Sequence, residues 1–247
     1  MQNNLNQIDS GGYDEWHRTV HGQDILTENK LEDWHLDALS LSPFVKGLDV
    51  LEVGCGAGDF AIHLALQKAK VTAVDFSAEA IEIAKQKSKK QNQQINFQVA
   101  DAQSLPFANE SFDLIFSCEC LEHIPDPRKA VNELYRVLKP SGYLILSTEN
   151  YSNAMILGWI VAWLRKEPFN SGTHVQPVEH FFLYWNVRHL FKKAGFRVLK
   201  MIGWHHVFLL LPRFHPHTFV KQRFQNSFTA KLFLPLARHM TFKVIKE

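Results

Sequence analysis

Cysteine is scarce, with only Cys55, Cys118 and Cys120 among 247 residues. Three thiols cannot build the bridged framework of a small secreted domain. Long apolar runs are also missing. The longest, Ala154 to Leu164, is 11 residues, well short of the ~20 that a spanning helix needs. The opening MQNNLNQIDSGG lacks a basic stretch followed by an apolar one, so no secretory leader is expected and the default address is cytoplasmic. What is present is ordinary globular material, 46% hydrophobic and 21% charged, which excludes global disorder. The length fits one large domain. Residues 1–12 read as a disordered tail and 13–247 as a single domain.

The net charge of +2 hides an asymmetry. Residues 151–247 hold 14 Lys+Arg against 3 Asp+Glu, whereas residues 1–150 hold 13 against 22. The same C-terminal stretch carries 18 of the 30 aromatic residues and 8 of the 13 histidines. A joint change in charge and aromatic content near residue 150 indicates two functional halves.

Tyr13 to Ser42 contains a helical stretch, with Leu31, Trp34, Leu36 and Leu39 in a partial helical pattern, ended by Pro43. From residue 49, short apolar runs alternate with helical segments. DVLEV (49–53), VTAV (71–74), INFQV (95–99), FDLIFS (112–117) and YLILS (143–147) read as strands. Helices are expected over 59–68, over 78–90 behind an Ser77 N-cap, and from Pro127 to about Leu138, before the turn KPSG. This alternation predicts an α/β fold with a mostly parallel sheet and helices on both faces. Its ligand site belongs at the carboxyl edge of the strands. The glycines, Asp75, Asp101 and the segment 118–123 all fall there.

Gly54, Gly56 and Gly58 follow a buried strand at alternate positions and let the backbone approach a ligand closely. The spacing is not that of a dinucleotide fingerprint, because Asp59 stands where the third glycine would be. Glu52, inside the strand, would repel a pyrophosphate but suits a cation. Asp75, 17 residues after Gly58, can accept hydrogen bonds from ribose hydroxyls. Phe76 beside it can pack on adenine, and Asp101 can bind the adenine amino group.

The segments VLEVGCGAGDF, VDFS, ADAQSLPF, FDLIFSCECLEHIPDP and LYRVLKPSGYLIL resemble successive motifs of class I S-adenosylmethionine (SAM)-dependent methyltransferases, closest to the type-11 group. The resemblance covers residues 45–150, with a weaker continuation at EHFFLYWNVRHLFKKAGFRVL. It implies a Rossmann-like seven-stranded sheet of order 3-2-1-4-5-7-6 with strand 7 antiparallel, Phe196–Met201 and Thr241–Ile245 being strands 6 and 7. It also implies S-adenosyl-L-methionine as cofactor. Glu52 would sit near its cationic part, Gly54, Gly56 and Gly58 around it, and Asp75 and Phe76 at the adenosine. Asp101 and Ala102 would read the adenine, and Ser117 and Cys118 would line the methionine end.

Methyl transfer is an in-line displacement, so the protein mainly aligns the nucleophile. A base is needed only if the acceptor must lose a proton. Glu119, Glu122, His123, His174 and His180 are the candidates. His123 is the catalytic assignment because its loop borders the transferring methyl in related folds; the alternative is a histidine that shapes the loop through backbone hydrogen bonds. Cys118 and Cys120 are too few for a metal centre, and no metal is expected.

Residues 151–180 and 205–238 interrupt the pattern and are expected to form a substrate cap over the carboxyl edge. The second insert alternates Arg213, Lys221, Arg223, Lys231 and Arg238 with phenylalanines. Two readings stay open: peripheral contact with an anionic membrane, or a cap with a solvated basic face. Nucleic acid is not an expected partner, because the apolar runs exceed what such a surface wants. The leading reading is a methyltransferase acting on oxygen, or carbon, of a small or lipid-linked acceptor such as a quinone, lipid or glycan precursor. The rivals are a catalytically silent SAM-binding module and a nicotinamide-dependent oxidoreductase.

Overall fold

The computed structural model describes residues 10–21, 30–150, 182–206 and 237–247, together with Leu164, Val178 and His180. Two N-terminal helices, α1 (Gly11–His21) and α2 (Asp33–Leu41), precede an alternating series. That series runs β1 (Asp49–Val53), α3 (Asp59–Leu66), β2 (Lys70–Asp75), α4 (Ala78–Lys90), β3 (Asn96–Val99), β4 (Phe112–Cys118), α5 (Pro127–Val137) and β5 (Leu138–Glu149). Helix α6 (Tyr184–Ala194) leads into a hairpin-like pair, β6 (Phe196–His206) and β7 (Ala237–Lys246). The seven strands form one sheet of order β3-β2-β1-β4-β5-β7-β6. Strands β1 to β5 pair in parallel, and β7 runs antiparallel to both β5 and β6.

Side chains alternate between the two faces of each strand. Leu51, Val53, Ile115, Leu144 and Leu146 join one core cluster with residues of α5 and α6. Val50, Leu114, Phe116 and Ile145 join the other, with α2, α3 and α4. Strands buried on both faces read as continuous apolar runs, which is why these segments were conspicuous in the sequence.

Local signals set several boundaries. Ser77 caps α4, its hydroxyl accepting from the Ala80 amide, and Pro127 opens α5 behind an Asp126 cap. The KPSG turn does not separate α5 from its strand. It is absorbed into β5 as an irregularity, with Phe112 opposite Leu138 and Leu114 opposite Tyr143. Strands β6 and β7 each run past the expected ends, because antiparallel pairing continues to His206 and Ala237. The expected second insert at 205–238 therefore begins and ends inside strands. Its middle, like nearly all of 151–180, lies outside the described residues. Helix α1 starts at Gly11, inside the stretch read as a tail, and the helical stretch expected within 13–42 shows two helices among the described residues.

Candidate cofactor and acceptor site

The glycine loop joins β1 to α3. The Gly54 and Cys55 amides both donate to the Val74 carbonyl, at 2.9 and 3.1 Å, which locks the loop onto the end of β2. All three glycines take left-handed backbone angles, φ 79°, 49° and 80°. Their reasons differ. A Cβ at Gly54 would lie 2.5 Å from the Cys120 sulfur, and one at Gly58 would lie 2.7 Å from Ala84 Cβ. These two glycines let β4's loop and α4 pack closely. At Gly56 the nearest atom is 3.6 Å away, on His17, so this is the glycine with room beside it for a ligand.

Glu52 is buried on the α3 face of β1. Burial, with Asp75 and Asp59 nearby, pushes it well above the ordinary carboxylate range, while the Ala61 amide opposes the rise. Its Oε2 is buried without a hydrogen-bond partner among the described residues. A neighbouring cation would bring such a group back down. The SAM sulfonium and ammonium groups fit that need.

Asp75 ends β2. One carboxylate oxygen accepts from the Gly56 amide at 2.8 Å, the other from the Ser77 amide at 2.9 Å. Each oxygen has a second lone pair, enough for two ribose hydroxyls. Phe76 is half-buried and meets the Tyr13 ring edge-on. Asp101 accepts from the amide and side chain of Gln103, with Ala102 buried next to it. Ser117 and Cys118 are buried at the end of β4. Burial, with Glu52 and Glu119 near, pushes the Cys118 thiol well above its ordinary range, which makes it a poor nucleophile.

Helix α1 packs against these residues. Asp14 accepts from the Ser77 hydroxyl and the Glu79 amide, and Tyr13 donates to the His123 carbonyl at 2.6 Å. Sequence reasoning gave α1 no role in the site. The available signal was GGYDEWH, whose aromatic, acidic and histidine side chains sit together ahead of the first strand.

The candidate acceptor side lies at the carboxyl ends of β4 and β5 and the amino end of the antiparallel β7. His123 is half-buried, with Nδ1 2.9 Å from the Val178 carbonyl, the backbone contact of the loop-shaping alternative. Glu122 is fully buried and accepts from the Thr148 hydroxyl at 2.8 Å. Burial and the neighbouring Glu119 push it well above its ordinary value. The His180 amide donates to the Glu122 carbonyl at 2.7 Å, and His174 lies outside the described residues.

A different pair stands out. His239 on β7 places Nδ1 3.1 Å from Glu119 Oε2, with side-chain exposures of 8% and 14%. Glu119 takes φ 46°, a left-handed conformation that costs a non-glycine residue ~1–3 kcal/mol. Burial opposes its ionisation, but the His239 charge and hydrogen bond outweigh that and hold it below the usual range. Glu149 brings one oxygen within 4.8 Å of donor atoms on both partners. Glu119 was among the sequence candidates; His239, 120 residues away, was not.

The sequence of residues 51–146 matches the family model described as "Methyltransferase domain". A ubiquinone biosynthesis O-methyltransferase of Coxiella burnetii is 35% identical over 170 residues, covering 66% of this chain and 69% of that protein. One of Cereibacter sphaeroides, with the same description, is 32% identical over 178 residues, covering 70% and 69%. Among solved structures, a SAM-dependent methyltransferase of Methanosarcina mazei superposes with a TM-score of 0.62 at 21% identity, over 88% of this chain and 98% of that one. With the sheet order, the glycine loop and these relatives in agreement, the chain belongs to the class I SAM-dependent methyltransferases.

Proposed function

We propose that the protein methylates an oxygen, a phenolic hydroxyl, on a small or lipid-linked quinone precursor. The observation that carries the oxygen and quinone reading is the likeness to ubiquinone biosynthesis O-methyltransferases across two thirds of the chain. The bound cofactor supplies a methyl on a positively charged sulfur, a good leaving group. The chain supplies the rest. Gly56 gives access, Asp75 and Asp101 orient the adenosine, Glu52 balances positive charge, and the ends of β4, β5 and β7 hold the acceptor. Nothing about the cofactor half restricts the acceptor, so carbon remains the second choice for the methyl-accepting atom.

The test is turnover with methyl-labelled SAM. The acceptors are 3,4-dihydroxybenzoate and its farnesyl-substituted analogue, with mass spectrometry locating the label. Labelled methyl on a phenolic oxygen is expected, with the prenylated acceptor preferred. Label on ring carbon, or on neither phenol, overturns the reading. Asp75→Ala should weaken SAM binding by ~1.5–3 kcal/mol, the value of hydrogen bonds to a charged acceptor; calorimetry reads it.

A further inference from the structure

We propose that His239, oriented by Glu119, is the general base that takes the proton from the acceptor hydroxyl. The inference rests on the phenolic O-methylation reading and adds the group that makes the oxygen nucleophilic.

The placement comes from the sheet. Glu119 is the residue after β4, and its neighbour Cys120 packs against Gly54 of the cofactor loop. The carboxylate is thus one residue from both the cofactor loop contact and the lining residue Cys118. In the β5–β7 pairing, Glu149 stands opposite His239, and Ser147 stands opposite Cys118 in the β4–β5 pairing. His239 therefore reaches across the end of β5 to meet Glu119. Trp34 of α2 stacks over the imidazole at 6.2 Å, with 22° between the planes. Trp34 covers one face of the ring, and both side chains of the pair are largely buried.

The chemistry follows from the contact. An Nδ1–H that donates to Glu119 fixes the tautomer and leaves the lone pair on Nε2 to accept a proton. The charged groups around the ring are Glu119 after β4, Glu149 on β5 and Asp37 on α2, with His123 acting on Glu119. Three carboxylates favour the imidazolium that forms. In the step, Nε2 takes the hydroxyl proton as the oxygen lone pair bonds to the methyl carbon. The carbon–sulfur bond breaks with its electrons staying on sulfur. The products are the methyl ether, neutral S-adenosylhomocysteine and an imidazolium that later gives its proton to water.

Two measurements test this. In turnover with 3,4-dihydroxybenzoate, His239→Asn should lower kcat by about 10²–10⁴-fold. S-adenosylhomocysteine affinity should stay within about threefold, because the loss belongs to the transition state. The residual rate should climb with pH as the phenol ionises unaided. Glu119→Gln, which keeps the shape, should lower kcat less, because the ring keeps a hydrogen-bond partner and loses only the charge beside the imidazolium formed in the step.

The second measurement needs no turnover. 4-Nitrocatechol absorbs differently as phenol and phenolate. With S-adenosylhomocysteine present, wild type should enrich the phenolate at a pH where the free probe is mostly protonated, and His239→Asn should not. No spectral difference between the two proteins, bound or unbound, overturns the proposal. So does a larger kcat loss in His123→Asn than in His239→Asn. If wild type shifts the probe but methylates no phenol, the acceptor reading fails and the base assignment stands.

Discussion

Asp59 shows how one side chain can serve two ends. It opens α3, where a carboxylate meets the positive end of the helix. Both its oxygens lie 2.6 Å from Lys87 Nζ on α4. The Lys87 side chain is only 8% exposed and Asp59 21%. Removing one partner of a buried pair strands the other charge. Asp59→Ala should therefore cost ~3 kcal/mol, because it leaves a buried ammonium. Lys87→Met should cost less, because the carboxylate left behind keeps the helix N-terminus and some water. Urea unfolding of both variants checks the order, and equal losses would show that the helix end contributes nothing. The sequence showed Asp59 only as a missing third glycine. Its ion-pair partner, 28 residues away, becomes visible only once α3 and α4 lie side by side. The same applies to Gly54 and Gly58, legible as a loop but not as contacts with Cys120 and Ala84.

Elements with self-contained signals were legible. DVLEV is β1 as read, and the helix at 78–90 starts at its Ser77 cap. Elements whose ends depend on a distant partner were not: β6 and β7 extend one another, and β5 takes in a turn to stay paired with β4. Helix α2 is a third kind. Its short pattern hid a docking face, with Ala38 and Leu41 buried against the sheet. That docking carries Asp37 toward the acceptor site. Burial, aided by Asp33 and Glu119 and opposed by His239, pushes its carboxyl up to about 6. A carboxyl whose folded pKa exceeds its unfolded value binds its proton more tightly when folded. Its contribution is greatest at pH below the unfolded value and is lost as pH rises toward and past 6. Asp37→Asn should thus stabilise the protein at pH 8 relative to wild type, by on the order of 1 kcal/mol after solvent screening, with little gain at pH 4. Thermal melts at the two pH values decide it. An equal effect at both would mean the side chain acts by shape alone.

Across the whole molecule, the acidic first 150 residues carry the first five strands and the glycine loop, while the basic, aromatic-rich remainder holds β6, β7 and most of the residues outside the described ones. No helix among the described residues is long and apolar enough to cross a membrane. A lipid-linked acceptor would have to be met at a surface, and residues 151–247 have the composition for it: 14 basic against 3 acidic side chains, interleaved with rings such as Trp159, Trp163 and Phe214. We expect the protein to float with phosphatidylglycerol-rich vesicles at low salt. The screening length falls from ~10 Å at 0.1 M salt to ~3 Å at 1 M, so binding should drop sharply over that range, with a remnant from apolar insertion. The triple variant Arg213→Glu, Lys221→Glu, Arg223→Glu should stay in the soluble fraction. Its SAM affinity should match wild type, because Asp75, Glu52 and the glycine loop are untouched. If wild type itself fails to float at low salt, the basic segment does not meet lipid, and its positive charge then serves a soluble anionic acceptor or only solvent. Activity separates those two: charge reversal raises KM for an anionic acceptor and leaves KM alone if the charges are only solvated.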